Sequence, residues 1–482
     1  MLNKKFIINI LGLVLVFEAL FMLICALVAF FYDEGDTMAL TYSGLIALII
    51  GGGAWMLTRK VPKDMIKREG FIVVTCVWIV IALFGSLPYI LSGTVPRFSD
   101  AFFESISGFT TTGASVITDI ESLPHGILLW RSVTHLLGGM GIVVLAVAIL
   151  PYFGFGGMQL FNAEAGGVTN EQLHPRIAKT AKSLWGIYVS LIAIETVFLV
   201  FGGMPLFDAL CHSFGTIASG GFSTKNDSLM GYSPYIQYVV IVFMFFAGTN
   251  FTLFYFLWKG KFKKVIENKE LQLYALLVLF FALLIAGTLA LYDHFPAEPS
   301  FRAALFQVVS IVTTTGFVSA DYTAWHPYFT YAIFLLMFMG ASAGSTSGGI
   351  KIMRHHILMK NTMLEFKRLI HPLAVFSLKI KGKSISNEVV YKVMAFVILY
   401  FFVFTIGSFT LTFLGMDMSS AMGAAATTMG GIGPGLGTVG PMNNFLLVPE
   451  GGKWVLSFLM LLGRLELFSV LILFSPHFWR NK

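Results

Sequence analysis

Four short apolar segments constrain this chain more than anything else in it. Phe102–Ser115 runs through Thr110-Thr111-Thr112-Gly113, and Leu210–Thr224 runs through Ala218-Ser219-Gly220-Gly221-Phe222. Leu305–Ser319 contains Thr313-Thr314-Thr315-Gly316-Phe317, and Ser420–Gly433 contains Thr428-Met429-Gly430-Gly431-Ile432. A helix needs about 20 apolar residues to cross a bilayer, and none of the four is that long. Each stands between two apolar runs that come close to it, so each must dip into the membrane and return. Non-helical backbone at membrane depth is tolerated only where it lines a cavity or is buried in protein.

The turns carry their own chemistry. Glycine turns the chain with φ > 0 and leaves carbonyls free to point to one side. Four such turns around an axis form stacked rings of carbonyl oxygens that can replace the hydration shell of a monovalent cation. The short helices aim their negative C-terminal ends at that axis, which favours a cation. Hydroxyls of Thr110–Thr112, Ser219 and Thr313–Thr315 can ligate the ion or brace the turn. The blander reading is an ordinary helix break, but four breaks in equivalent places argue against it.

Composition fits a membrane chain. Of 482 residues, 56% are hydrophobic and 12% charged, against about 25% charged in soluble proteins. Cys25, Cys76 and Cys211 all lie in apolar segments, so neither a disulfide framework nor a metal site is expected. Phe6–Phe31 is too long for a signal-peptide core and reads as a span.

The expected architecture is all-α and polytopic, with ten spans: an N-terminal pair followed by four pseudo-symmetric span–pore-loop–span units around a central ion pore. The pair occupies 1–68, and the units 69–160, 161–264, 265–383 and 384–482. With both termini cytoplasmic, all but six of the 32 Lys and Arg fall on the inner side, as the positive-inside rule requires. The six are Arg97, Arg131, Lys225, Arg302, Lys453 and Arg464. The net charge of +7 therefore reads as topology, and no nucleic-acid partner is expected. Asp100 and Asp208 each stand thirteen residues before a turn glycine, Gly113 and Gly221. An internal period near 100 residues points to parallel repeats about an axis along the membrane normal.

Two further features stand out. Gly340-Ala341-Ser342-Ala343-Gly344-Ser345-Thr346-Ser347-Gly348-Gly349 interrupts the return span of the third unit. So many small residues do not hold a helix. We read the stretch as an intramembrane gate under the turns, with Ile350–Leu358 completing the crossing, in preference to a cytoplasmic loop. Lys351 is misplaced for a phosphate-binding GxxxxGK loop. Arg464 sits midway along the apolar run Trp454–Phe474. An arginine at the bilayer centre costs about 2.5–3.5 kcal/mol on insertion scales, so it faces the protein interior. It either forms a cation barrier beneath the turns or pairs with Glu466 or Glu104. Glu104, Asp100 and Asp208 can attract cations at the mouth; the two aspartates can instead cap helices. His135, His212 and His355-His356 lack metal-ligand spacing. No nucleophile elbow, HExxH or dinucleotide fingerprint is present, so no enzyme is expected.

The four turns TTTGAS, ASGGFST, TTTGFV and TMGGIGP resemble those of the Trk/Ktr/HKT potassium transporter superfamily. The N-terminal pair, GASAGSTSGG and Gly463–Glu466 make the chain most similar to the bacterial Trk membrane subunit. The resemblance implies K⁺ (and Rb⁺) uptake across a bacterial inner membrane and a homodimer. It also implies a ring-forming, cytoplasmic nucleotide-binding regulatory subunit, with nucleotide on that partner only and no covalent cofactor here. Carried over by position, the filter is Thr111, Thr112 and Gly113; Ser219, Gly220 and Gly221; Thr314, Thr315 and Gly316; Met429, Gly430 and Gly431. The gate is Gly340–Gly349 with Arg464. Met429-Gly430 departs from the TTTG pattern and leaves the fourth register open by one residue. One glycine per turn implies a short filter and modest K⁺/Na⁺ discrimination. The alternative is an ion-coupled secondary transporter of a small solute with broken helices, which needs a solute pocket and inverted halves. The basic segments Arg176–Lys182, Lys259–Lys269 and Lys351–Lys383 are the expected docking face for the regulatory partner, or for anionic lipid.

Overall fold

The computed structural model describes residues 2–60, 67–149, 177–292, 296–374, 376–380 and 383–480. The stretch joining the first two units lies outside the described residues up to and including Arg176, as do Lys63 and Lys381, whereas Lys179 and Lys182 fall in the helix Ile177–Phe201.

Long apolar runs become helices because a backbone in lipid must satisfy its own hydrogen bonds. Lys4–Tyr32 and Thr37–Thr58 form an antiparallel pair. They meet at two glycines: a Cβ on Gly12 would stand 2.7 Å from the Gly51 carbonyl oxygen. Arg68–Leu91, Lys182–Phe201, Lys269–Leu291 and Asn387–Phe413 bring the described helices that are long and apolar enough to cross a membrane to six.

Two expected straight spans are broken. Pro234–Ala247 and Phe251–Trp258 meet at 99°, and Glu450–Arg464 and Phe468–Phe474 at 110°. Counting each bent pair as one span brings the described segments long and apolar enough to cross to eight. Asn250 explains the first break: its side chain accepts a hydrogen bond from Thr252 N–H at 2.9 Å and restarts the helix. At the second, Glu466 and Leu467 take positive φ of 56° and 41°. Arg464 is therefore the last residue of a helix and not the middle of one.

Four short helices lie between the long ones: Phe98–Phe109, Leu206–Ala218, Ala297–Val312 and Met418–Gly430. The small-residue stretch of the third unit also has a definite shape. Pro327–Leu336 ends, and Met339-Gly340 pairs in parallel with Ile350-Lys351 before Ile352–Ile370 begins. Parallel pairing means that the intervening residues loop back and the chain resumes its original direction. Of the six basic residues outside the inner clusters, four have acid partners: Arg131–Glu104, Lys453–Asp100, Lys225–Glu121 and Arg302–Glu298.

Candidate functional site

Each short helix ends in the same cap. Thr111, Ser219, Thr314 and Gly431 adopt left-handed φ of 53°, 56°, 56° and 72°. The N–H of the next residue then reaches five residues back: Thr112 to Ser107 O at 2.9 Å and Gly220 to Gly215 O at 2.8 Å. Thr315 reaches Ser310 O at 2.8 Å and Ile432 reaches Thr427 O at 2.9 Å. This is a Schellman cap, which spends the last helical carbonyls and reverses the chain. A glycine follows in every case: Gly113, Gly221, Gly316 and Gly433, with φ of 79°, 82°, 79° and 100°.

Those four glycines close a ring. A Cβ on Gly113 would collide with the carbonyl oxygen of Gly220, one on Gly221 with that of Thr315, and one on Gly316 with that of Ile432. A Cβ on Gly433 would stand 2.8 Å from the Thr112 oxygen, which returns to the first turn. Glycine is required here because the next turn's peptide already fills the space. The same contacts correct the fourth register. The residues equivalent to Thr111–Gly113 are Gly431, Ile432 and Gly433, two positions beyond the expected Met429–Gly431. Met429 and Gly430 close the helix.

The hydroxyls brace the turns. Thr110 and Thr112 lie 2.9 Å apart, and Thr313 and Thr315 2.8 Å apart. Thr314 Oγ1 accepts the Gly348 N–H at 2.6 Å, and Ser219 Oγ is 2.9 Å from Thr346 Oγ1. The last two contacts place the Gly340–Gly349 loop directly against the ring.

That loop is held from several sides. Thr346 is fully buried, with its hydroxyl 2.9 Å from Ile217 O and 3.2 Å from Ala247 O. Ser342 N–H donates to Gly248 O at 3.0 Å, and Ala343 N–H to Glu270 Oε1 at 2.7 Å. The Lys351 ammonium donates to the Ser347 carbonyl. A Cβ on Gly340 would strike Gly348 O, and one on Gly348 would strike Gly430 O. Ala341, Ala343, Gly344, Ser345 and Gly349 complete this packed segment.

Arg464 closes the arrangement. Its guanidinium donates to Thr346 O at 2.9 Å and Gly138 O at 3.0 Å, tying the loop to the first unit. The expected carboxylates are engaged elsewhere: Glu466 with Arg354 at 2.5 Å and Glu104 with Arg131 at 3.0 Å. Arg464 thus bonds to carbonyls at the C-terminal end of its helix, where positive charge is favoured.

The acids expected at the mouth are structural. Asp100 pairs with Lys453 at 2.6 Å in a buried contact. Glu104 also accepts from Ser115 Oγ and Val116 N–H, each at 2.9 Å. Asp208 accepts from Thr224 Oγ1 at 2.7 Å. No cluster of metal-ligating side chains occurs among the described residues. Sequence reasoning did not single out Glu270, saw His135 only as a histidine without metal-ligand spacing and Lys351 only as a misplaced phosphate-loop lysine, and offered Glu466 as a partner for Arg464 when it pairs with Arg354. A signal existed for two pairs, because Arg131 and Lys453 broke the charge asymmetry.

A predominantly helical, polytopic membrane protein whose four short helices end in turns that close one ring against a packed loop falls in the class of membrane transport proteins, not of enzymes. The family model described as "TrkH: Cation transport protein" matches residues 36–481, and the chain belongs to that family. It is 40% identical over 488 residues to "Trk system potassium uptake protein TrkH" of Escherichia coli K12, covering 100% of each chain. The protein of the same name from Vibrio parahaemolyticus is 42% identical, with 98% of this chain and 99% of that one covered. "Crystal Structure of the Potassium Transporter TrkH from Vibrio parahaemolyticus" matches with a TM-score of 0.91 at 38% identity. That match covers 99% of this chain and 100% of the other.

Proposed function

We propose that this chain is the ion-conducting subunit of a potassium uptake system in a bacterial inner membrane, carrying K⁺ and Rb⁺ through the four-turn ring. The closed cycle of glycine–carbonyl contacts carries the reading. It brings four peptide turns and four negative helix ends to one axis, as coordination of a dehydrated monovalent cation requires. Relatives named as potassium uptake proteins match along their full length. The coordinating set is Thr111–Gly113, Ser219–Gly221, Thr314–Gly316 and Gly431–Gly433.

The Gly340–Gly349 loop and Arg464 form the gate. Thr346 lies under the ring, and its carbonyl is held by the only guanidinium among the described residues that reaches it. Opening requires these bonds to break together. The protein has ten spans with both termini cytoplasmic. His125–Ile149 supplies one crossing beyond the eight counted, and Pro327–Leu336 with Ile352–Ile370 supplies the other. The protein is a homodimer. Met359, Met363, Phe366 and Ile370 repeat at four–three–four spacing and are exposed, which is the pattern of a helix–helix seam. A ring-forming nucleotide-binding subunit docks on the basic cytoplasmic face. The short ring discriminates K⁺ from Na⁺ modestly.

The test is Rb⁺ uptake into proteoliposomes, with K⁺ and Na⁺ as competitors. Saturable uptake displaced by K⁺ and weakly by Na⁺ supports the reading. Correctly inserted protein that moves no Rb⁺ overturns it. Single-channel currents separate conduction from alternating access, which cannot reach channel-level flux.

A further inference from the structure

We propose that His135 is a selectivity-determining positioning residue: it braces the second turn of the ring from the first unit. The inference rests on the conduction reading above. It begins from an asymmetry among the four turns. Two kinds of hydroxyl brace recur. One is the threonine pair flanking the left-handed residue, Thr110–Thr112 at 2.9 Å and Thr313–Thr315 at 2.8 Å. The other is a hydroxyl that donates to the carbonyl seven residues on: Ser310 to Phe317 O at 2.7 Å, and Thr427 to Pro434 O at 3.0 Å. The second turn has Gly215, Ala218 and Gly220 at those positions. It can make neither brace from its own residues.

His135 fills the gap. A Cβ on Gly220 would stand 2.5 Å from His135 Cγ, 2.6 Å from Cδ2 and 2.8 Å from Nδ1. The imidazole therefore occupies the volume a side chain at 220 would take. His135 Nδ1 is 2.8 Å from Gly108 O, and Nε2 is 3.0 Å from Phe222 N. The Phe222 N–H can only donate, so Nε2 is the bare nitrogen and Nδ1 carries the proton to Gly108 O. One ring thus fixes the end of the first short helix and the exit of the second turn. The same imidazole stacks on Phe222 at 4.2 Å and 23°, and the Arg131 guanidinium carbon lies 4.2 Å from that phenyl centroid. Arg131 also donates to Ser223 O at 3.2 Å. The Gly220 carbonyl, which faces Gly113 across the ring, is held between these contacts.

A ring that selects by carbonyl placement loses discrimination when one carbonyl can relax. Removing both imidazole bonds frees the exit of the second turn together with the Gly108 carbonyl that ends the first short helix. The effect should fall on the ratio of ions carried rather than on assembly.

The experiment measures Rb⁺ uptake with K⁺ and Na⁺ competition in proteoliposomes of wild type, His135→Phe and His135→Gln. Phenylalanine keeps a flat ring without the donor or acceptor; glutamine keeps one of each. We expect His135→Phe to lower the K⁺/Na⁺ preference about fivefold, the scale of the one net hydrogen bond lost at the second turn, from Phe222 N–H, and His135→Gln to keep it within about twofold by the same measure. An unchanged ratio in His135→Phe overturns the inference, as does an equal loss of uptake in both variants at constant ratio. If His135→Phe does not insert, His135→Leu decides: it removes the same two bonds, to Gly108 O and from Phe222 N–H, and a lowered K⁺/Na⁺ ratio supports the proposal while a wild-type ratio refutes it. Wild-type protein that carries no Rb⁺ would instead sink the conduction reading itself.

Discussion

Alanine at Gly433 should do far more damage than alanine at Gly431, although the two glycines are only two residues apart. Gly431 has φ of 72°, and a Cβ there meets nothing within 4 Å. The equivalent positions already carry Thr111, Ser219 and Thr314 in the same conformation. The left-handed conformation costs an L-residue about 1–2 kcal/mol, and nothing else is added at Gly431. Gly433 has φ of 100°, with the Cβ position 2.8 Å from Thr112 O and 3.1 Å from both Gly113 C and O. Backbone strain of about 1–3 kcal/mol adds to a packing cost of about 1–3 kcal/mol, giving roughly 2–6 kcal/mol. That cost falls on the Thr112 carbonyl, a member of the ring. We expect Gly431→Ala to keep most Rb⁺ uptake and Gly433→Ala to lose at least about tenfold, the equivalent of 1.4 kcal/mol. The assay is the initial Rb⁺ uptake rate per inserted protein. Equal damage from both substitutions, or greater damage at Gly431, would refute the register.

Arg464→Ala removes the bonds to Thr346 O and Gly138 O, so uptake without the regulatory partner should rise; unchanged or lower basal uptake at normal insertion contradicts this. Glu104→Gln breaks a buried ion pair whose partner, Arg131, is 1% exposed. Breaking such a pair costs about 3–5 kcal/mol, so thermal unfolding in detergent should shift clearly downward, and an unshifted transition would show that the pair is not structural. Reversing the charge of the exposed Lys261, Lys263 and Lys264 should weaken co-purification of the regulatory subunit, whereas intact binding assigns that face to lipid and topology.

Much of this was legible because membrane depth leaves a chain few options. Apolar run length marks the spans, and the short runs ending in Gly mark the re-entrant helices. Gly340–Gly349 reads as an interruption because a span of thirteen residues is too short to cross. What escaped notice depends on contacts between units. The fourth turn offers Gly430, Gly431, Gly433 and Gly435, and only the carbonyl opposite each one says which closes the ring. The thirteen-residue spacing counted from Ser420 reaches Gly433, but position 420 carries no acid to match Asp100 and Asp208 and so does not mark it. The bends after Ala247 and Arg464 lie inside apolar runs, and hydropathy does not register a change of direction. His135 looked like an isolated histidine because its partners are backbone groups of Gly108 and Phe222, which carry no sequence signature.

Anomalous diffraction from crystals grown in Rb⁺ tests the central claim most directly. The account places Rb⁺ on the axis of the ring, with the carbonyls of Thr112, Gly220, Thr315 and Ile432 around it. Rb⁺ bound only away from those four turns, or an empty ring at saturating Rb⁺, would contradict it.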